Sequence, residues 1–227
     1  MDSPKRQLKT VLRRLASLAS QFDGSQGSIN SIHSVMENMD PSILQHFLPG
    51  PFTRLVSPIL ESRESTSGIR YADIYKDDHC LVNTFGLLKS GLKIPLHDHP
   101  NQNAVMKVYQ GSVAIRSFTL VNQNLDSTNR SILVEYEGEL ILSSKSDQQT
   151  AVLGPKKGNI HEVVSLEPHT YFCDFFFPNT PECFYYRPDR PIETFTIGQE
   201  ITLIRTRCPR DFFCDPMNFP SFPEFDL

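Results

Sequence analysis

The spacing of apolar side chains predicts helices at the start of this chain. Over residues 4–22, leucine, valine and alanine recur at helical spacing, while lysine and arginine lie mostly on the opposite face. Ser3, placed before Pro4, is suited to cap the first turn. The pattern predicts a basic amphipathic helix, followed after a glycine- and serine-rich loop by a short helix over 28–38 or 41–47.

From Tyr71 onward, short runs of β-favouring residues are separated by turn signals. Many short strands divided by turns are typical of a sandwich or a barrel. The polar residues 122–131 are predicted to form a hairpin tip. We therefore expect a mostly β domain over 51–227, with residues 1–50 as a helical extension packed on it. The predicted strands are 70–76, 79–89, 93–98, 103–109, 112–121, 131–142, 150–153, 160–166, 169–177 and 199–205.

Composition limits the cellular compartment and the classes of binding partner that we expect for this chain. A net charge of −4 gives no broad basic surface for nucleic acid, and no segment approaches the roughly 20 apolar residues that cross a bilayer. The chain has five cysteines, an odd number, and the sequence shows no signal-peptide core. Both features favour reduced thiols over a disulfide framework. We expect a cytoplasmic monomer, with the nucleus as an additional location. A mitochondrial transit peptide is a weaker interpretation of the N-terminal helix, because a helix packed on a barrel has the same pattern.

The histidine pair in His97-Asp98-His99 is the strongest chemical signal in the sequence. Side chains alternate faces along a β-strand, so the two imidazoles project together while Asp98 points away. Histidine is the commonest metal ligand, although a histidine at a strand end often serves only as a hydrogen-bonding group. The pair therefore predicts half of a metal site.

The surrounding segment resembles the first motif of the cupin superfamily. Gly91 precedes the pair, and a second strand follows it and ends at Gly111. That motif places a glutamate ligand where this chain has Ala104. The second cupin motif supplies a further histidine after a glycine, and residues 158–161 fit it. The resemblance implies a cupin jelly roll (double-stranded β-helix) and a metal site without a carboxylate. The implied ligands are His97, His99 and His161.

A closer resemblance is to the thiol dioxygenases that act on cysteamine and on N-terminal cysteines. This family includes the animal cysteamine dioxygenase and the plant cysteine oxidases, and the match runs from about residue 70 to the C-terminus. The resemblance implies Fe(II), O2 as co-substrate, and a sulfinic acid product. The matching segments are Ile74-Tyr75, Leu88-Lys89-Ser90-Gly91, the run from Ile94 to Pro100, Lys107-Val108, Gly111-Ser112-Val113 and Gly158-Asn159-Ile160-His161.

Other functions stay open on chemical grounds. Three neutral imidazoles also suit zinc, which would activate water as in a hydrolase or hydratase. A cupin that binds a metal as a regulator, without catalysis, is a further alternative. The family resemblance favours an iron-dependent dioxygenase whose substrate lacks a carboxylate beside the thiol, namely cysteamine or a peptide with an N-terminal cysteine. Action on protein N-termini would make it an oxygen sensor.

Asp174 is the one acid in an otherwise apolar strand. Alternation places it on the face of Phe172 and Phe176, where an unpaired carboxylate is costly. The resemblance implies that Asp174 orients a ligand histidine or attracts the amine of the substrate. The alternative is an acid that meets water near the strand end.

Residues 183–186 resemble a Cys-x-Tyr-Tyr segment of the family, in which the cysteine and the first tyrosine can become joined covalently. Cys183 and Tyr185 are therefore the candidates for such a thioether. Two departures from the family pattern stand out: Pro178-Asn179-Thr180 replaces a Pro-Pro-Tyr segment, and Asn101 replaces the glycine that commonly follows His-Asp-His-Pro. Substrate choice therefore does not carry over from relatives.

Overall fold

A computed structural model of the protein describes residues 3–48, 67–121, 130–180 and 182–223. The first of these ranges forms helices α1 (Pro4–Ser20), α2 (Gln26–Glu37) and α3 (Pro41–Gln45). The predicted cap is present, since Ser3 Oγ accepts a hydrogen bond from the backbone nitrogen of Arg6 at 3.4 Å. The two predicted positions for a second helix are both helical, because Ser25 and Asp40 each cap a separate start.

The remainder of the described chain is mostly strand. The predicted strands are present, but two short ones were not predicted, at 184–187 and 215–216. The strands are β1 (Ile69–Lys76), β2 (Leu81–Leu87), β3 (Lys93–Asp98), β4 (Asn103–Gln110), β5 (Ser112–Leu120), β6 (Ser131–Ser143), β7 (Thr150–Leu153), β8 (Ile160–Ser165), β9 (Thr170–Phe177), β10 (Phe184–Arg187), β11 (Glu200–Thr206) and β12 (Asp215–Pro216). A 3-10 turn covers Ile192–Thr194. Most of the predicted hairpin tip, 122–129, lies outside the described residues.

The strands form two sheets. One has the order β12-β1-β2-β9-β4-β7, and the other closes as β10-β11-β6-β5-β8-β3, with β10 also paired to β3. All of these pairs are antiparallel except β1 with β12. This mostly β arrangement of two facing sheets confirms the predicted cupin jelly roll.

The turn from β4 to β5 requires Gly111. Its φ is +77°, and a Cβ at this position would lie 2.9 Å from the Cα of Thr170. Only glycine combines the left-handed backbone with this close approach. The turn therefore fixes how β4 leads from one sheet to the other.

The helices share one apolar cluster with the outer side of the first sheet. Leu8, Leu12 and Leu15 of α1 are almost completely buried in the same cluster as Val105 and Phe175. Other clusters fill the interior of the barrel. None of the helices in the described ranges has both the length and the apolar character needed to cross a membrane.

Candidate metal centre

Three histidines converge between the two sheets. His97 of β3 lies directly beside His161 of β8 in the antiparallel register, and His99 follows the end of β3. One ring nitrogen from each residue lies within 4.8 Å of the others. The two Nε2 atoms of His97 and His99 are 2.9 Å apart. The fold thus brings together the three side chains that the sequence singled out as ligands.

A bulge in β3 shapes this geometry. The pairing with β8 shifts register between Ile94 and His97, and Pro95 lies within the shift. Proline has no N–H to donate to the ladder, so it is tolerated at such a point. Its carbonyl oxygen instead accepts a hydrogen bond from Nδ1 of His97 at 2.8 Å. The bulge therefore both turns the histidine strand and orients its first imidazole.

Backbone carbonyls select the tautomers of two rings. Nδ1 of His97 donates to Pro95, and Nδ1 of His161 donates to the carbonyl of Asn159 at 2.9 Å. With the proton on Nδ1, the Nε2 lone pair of each ring is left as a ligand atom. The Oδ1 atom of Asn159 also accepts from the backbone nitrogen of His99 at 3.0 Å, which ties the two histidine segments together.

Burial keeps the three imidazoles neutral. It lowers the pKa of His97 to about 4 and that of His161 to about 3, and it lowers the pKa of His99 well below its usual value. At neutral pH the cluster is therefore uncharged, and His97 and His161 each present an Nε2 lone pair. Neutral imidazole is the form that binds a metal. The donor set fits iron or zinc.

A cavity of about 60 Å³ lies between the histidines and the opposite sheet. Asp174 of β9 lies on that far wall together with Phe172 and Phe176, so the predicted alternation is confirmed. Only 5% of Asp174 is exposed, and burial raises the pKa of its carboxyl to about 8. The cavity is lined by Asn83, Phe85, Ile94, His97, His99, Met106, His161, Val163, Phe172, Asp174 and Phe176.

Asn83 is a lining residue that sequence reasoning missed. It lies in β2 directly opposite Asp174 in the strand register. No local motif surrounds it, because its position depends on the pairing of β2 with β9. The signal that was available is a polar side chain within the strand Leu81–Leu87, which is otherwise largely apolar.

Asp98 points away from the cavity, as its position between the two histidines predicted. Its carboxylate accepts hydrogen bonds from the backbone nitrogen of Phe184 at 2.9 Å and from the hydroxyl of Tyr186 at 2.8 Å. These bonds hold β10 against β3. Asp98 therefore supports the histidine strand from its outer side.

Cys183 and Tyr185 lie beside the histidine cluster and not in the cavity lining. Tyr185 pairs with His97 across β10 and β3, and the ring centroids are 6.2 Å apart. The Tyr185 hydroxyl contacts the thiols of both Cys183 and Cys208, and Cys208 is a neighbour that the sequence did not indicate. Burial raises the pKa of Cys183 to about 12, so this thiol stays protonated at neutral pH.

The position of the missing glutamate is filled by apolar packing. Ala104 is buried against Leu153 and Phe176, so the described residues place no carboxylate there.

The structure also explains how the two other departures from the family pattern, at Asn101 and at Pro178, are accommodated. Asn101 has φ +61°, a left-handed conformation that asparagine tolerates better than most residues. The carbonyl of Pro178 accepts a hydrogen bond from Gln102 at 2.9 Å, which holds the altered segment against the loop after His99.

The other histidines contribute no ligand to this cluster. His33 hydrogen-bonds to Thr150 at 2.9 Å, while His46 and His79 are exposed. His169 begins the approach to β9 with φ +55°, after the turn that Pro168 predicts. Within the described ranges, the three cavity histidines form the one group of this kind that could hold a metal ion.

The chain matches a family model over most of its length. The PCO_ADO family model matches residues 35–222. The 2-aminoethanethiol dioxygenase of Homo sapiens is 28% identical over 182 residues, which cover 67% of each chain. The enzyme of the same name from Mus musculus is 27% identical over 201 residues, covering 77% of this chain and 74% of the relative.

The solved structures that match do so over about half of this chain. KdgF from Halomonas sp. has a TM-score of 0.36 and 19% identity, covering 50% of this chain and 82% of that chain. An oxalate oxidase in complex with the substrate analogue glycolate has a TM-score of 0.38 and 16% identity, covering 54% of this chain and 57% of the oxidase. Likeness at this level carries no functional inference.

Proposed function

Because this chain belongs to the PCO_ADO family, we propose that it is an Fe(II)-dependent thiol dioxygenase. The proposed reaction adds both oxygen atoms of O2 to the sulfur of cysteamine (2-aminoethanethiol) or of an N-terminal cysteine and yields the sulfinic acid. Two relatives named 2-aminoethanethiol dioxygenase support this activity. The observation that carries the proposal is the neutral three-histidine cluster that faces Asp174 across a small cavity.

The three histidines would hold the metal, and in His97 and His161 a backbone carbonyl keeps the ring proton on Nδ1, away from the ligand nitrogen. Iron(II) bound there would supply the redox chemistry between the thiol and O2. The protein's own contribution is to orient the imidazoles through Pro95 and Asn159 and to surround the reacting sulfur with apolar side chains. That lining restricts water, which protects reactive oxygen chemistry from side reactions.

The polar groups that line the cavity favour an amine over a carboxylate in the substrate. Asp174 is an acid, and no arginine or lysine is among the described residues that line the cavity. A free carboxylate beside the thiol would therefore lack a cationic partner. We propose that Asp174 attracts the protonated amine that cysteamine and N-terminal cysteines share. Action on protein N-termini would couple the modification to oxygen supply.

We propose that Cys183 and Tyr185 support His97 from outside the cavity. Tyr185 lies next to His97 in the strand register, and its hydroxyl contacts the Cys183 thiol. A thioether between them would fix the ring beside the ligand histidine. Intact-protein and peptide mass spectrometry after turnover would detect this link as the loss of two hydrogen atoms.

The direct test is a product assay with metal-loaded protein. Protein purified without air and loaded with Fe(II) should consume O2 and add two oxygen atoms to cysteamine, to an N-terminal-cysteine peptide, or to both. The same peptide with an acetylated N-terminus is the matched control and should not react, because it lacks the amine. Unchanged substrates would favour a regulatory cupin, and stoichiometric zinc with iron-independent hydrolysis would favour a zinc enzyme.

A ligand variant tests the metal site without relying on turnover. His161→Ala should weaken metal retention by roughly 100-fold or more, since a ligand matters more than the outer partners whose loss costs 10- to 100-fold. His79→Ala, which alters an exposed histidine, is the control and should retain the metal. Metal analysis after dialysis gives the occupancy. Full iron occupancy in His161→Ala would refute His161 as a ligand.

A further inference from the structure

We propose that Asn83 determines the selectivity of the site for thiols that carry a protonated amine. Its side-chain oxygen and the Asp174 carboxylate would together form the subsite for the ammonium group. The inference rests on the proposed function and refines its substrate class.

The register of the first sheet places the two groups together. Asn83 of β2 pairs directly with Asp174 of β9, and both side chains line the cavity on the wall opposite the histidines. Each is only 5% exposed. The Oδ1 atom of Asn83 is buried without a hydrogen-bond partner. A buried acceptor left in this way is unfavourable, so the site is suited to a ligand that supplies a donor.

The orientation of the Asn83 amide follows from its outer neighbour. Tyr71 donates its hydroxyl proton to Asp73, so the phenolic oxygen is free to accept from Asn83, with which Tyr71 is hydrogen-bonded. The NH2 group of Asn83 therefore belongs on Tyr71. Burial and Asp73 raise the pKa of Tyr71, which keeps it protonated in this role. The carbonyl end of the amide is then left for the cavity.

The chemistry of the remaining wall selects the ligand. Around Asn83 and Asp174 the lining consists of aromatic, aliphatic and methionine side chains, apart from the three histidines. The wall thus offers hydrogen-bond acceptors, and none of its described residues is a lysine or an arginine. A primary ammonium group carries three donors and a positive charge, so it satisfies both acceptors at once. A neutral alkyl group would leave both unsatisfied.

The experiment compares two thiols that differ only in this group. 2-Aminoethanethiol and 1-propanethiol have the same number of non-hydrogen atoms, and the second replaces the amine with a methyl. Iron-loaded protein is titrated with each thiol without air, and kcat and KM are measured in air. Asn83→Leu should weaken binding of the aminothiol and raise its KM roughly 10- to 100-fold, the range expected for a hydrogen bond to a charged group. Affinity for propanethiol should be unchanged.

Two further variants separate the inference from a folding defect. Asn83→Asp keeps an acceptor and should retain the preference for the amine. Tyr71→Phe leaves Asn83 in place but releases its amide, so it should reduce the preference severalfold. Thermal unfolding confirms that each variant is folded.

The possible results distinguish the inference from the proposed function. Equal losses for both thiols, or an unchanged amine preference in Asn83→Leu and Tyr71→Phe, would overturn the role of Asn83. Wild-type protein that binds the aminothiol selectively but oxidises neither thiol would overturn the proposed function and leave the role of Asn83 supported.

Discussion

At the scale of single residues, burial of the Asp174 carboxyl is energetically unfavourable, and the same group is the one proposed to bind the substrate's amine. A carboxylate surrounded by phenylalanines is disfavoured in its charged form, and burial raises its pKa from 3.8 to about 8. Between pH 3.8 and about 8, the folded protein therefore keeps a proton on the Asp174 carboxyl that the unfolded chain has already released. The resulting stabilisation is fully present below pH 3.8 and is lost as the pH rises through 8.

The difference between the pKa values of Asp174 in the folded and unfolded protein makes the free energy of unfolding depend on pH, and Asp174→Asn should remove this dependence. Between pH 7 and 9, the free energy of unfolding of the metal-free protein should fall by about 1 kcal/mol more in the wild type than in the variant. The buried histidines do not obscure the comparison, because their lowered pKa values affect stability below their usual pKa of 6.5. Urea unfolding across this pH range gives the values. Parallel pH profiles for the two proteins would show that Asp174 is ionised in the fold.

At the scale of elements, a buried lysine attaches the helices to the sheet. Lys107 of β4 is fully buried, and its Nζ donates to the carbonyl oxygen of Glu37 at 2.8 Å. Glu37 ends α2, so the ammonium group satisfies a carbonyl that has no partner within the helix and lies at the negative end of its dipole. One side chain thus links a strand to the end of a helix.

Replacing this lysine should loosen the helical layer. Lys107→Met keeps the length of the side chain but leaves the Glu37 carbonyl unsatisfied, so we expect a loss of about 1–3 kcal/mol in the free energy of unfolding. Lys89→Met, at an exposed position, is the matched control and should change stability little. Chemical denaturation measures the loss, and hydrogen exchange locates it. Equal stability of the two variants would contradict the role of Lys107.

At the scale of the whole molecule, the helices and the first sheet depend on a common core. Buried side chains of α1, α2 and α3 share one cluster with residues of β1, β2, β4 and β9. Removing the helices would expose this sheet face. Each large apolar side chain returned to water costs roughly 1.5–3 kcal/mol, and a whole domain is stable by only about 5–15 kcal/mol.

A truncation tests this dependence. Protein that lacks residues 1–48 should fail to unfold cooperatively and should aggregate, whereas the full chain should show a single transition. Circular dichroism and light scattering during heating provide the comparison. The separation of a helical extension, 1–50, from a domain over 51–227 stays a prediction, and a truncated protein with an undiminished transition would show that the second unit folds alone.

The sequence by itself determined the local features of this protein. Periodicity predicted the amphipathic helix and most strands, and the alternation of His97, Asp98 and His99 fixed which side chains face together, because both depend only on neighbouring residues. The resemblance of residues 158–161 to the second cupin motif indicated His161 as the third member. Only the tertiary structure decided which side chains lie opposite one another on neighbouring strands. Asn83 faces Asp174, and Cys208 reaches Tyr185, because antiparallel registers join segments far apart in the chain, which no local pattern encodes. The cavity between the two sheets, and the burial that keeps its histidines neutral, arise only when those sheets pack.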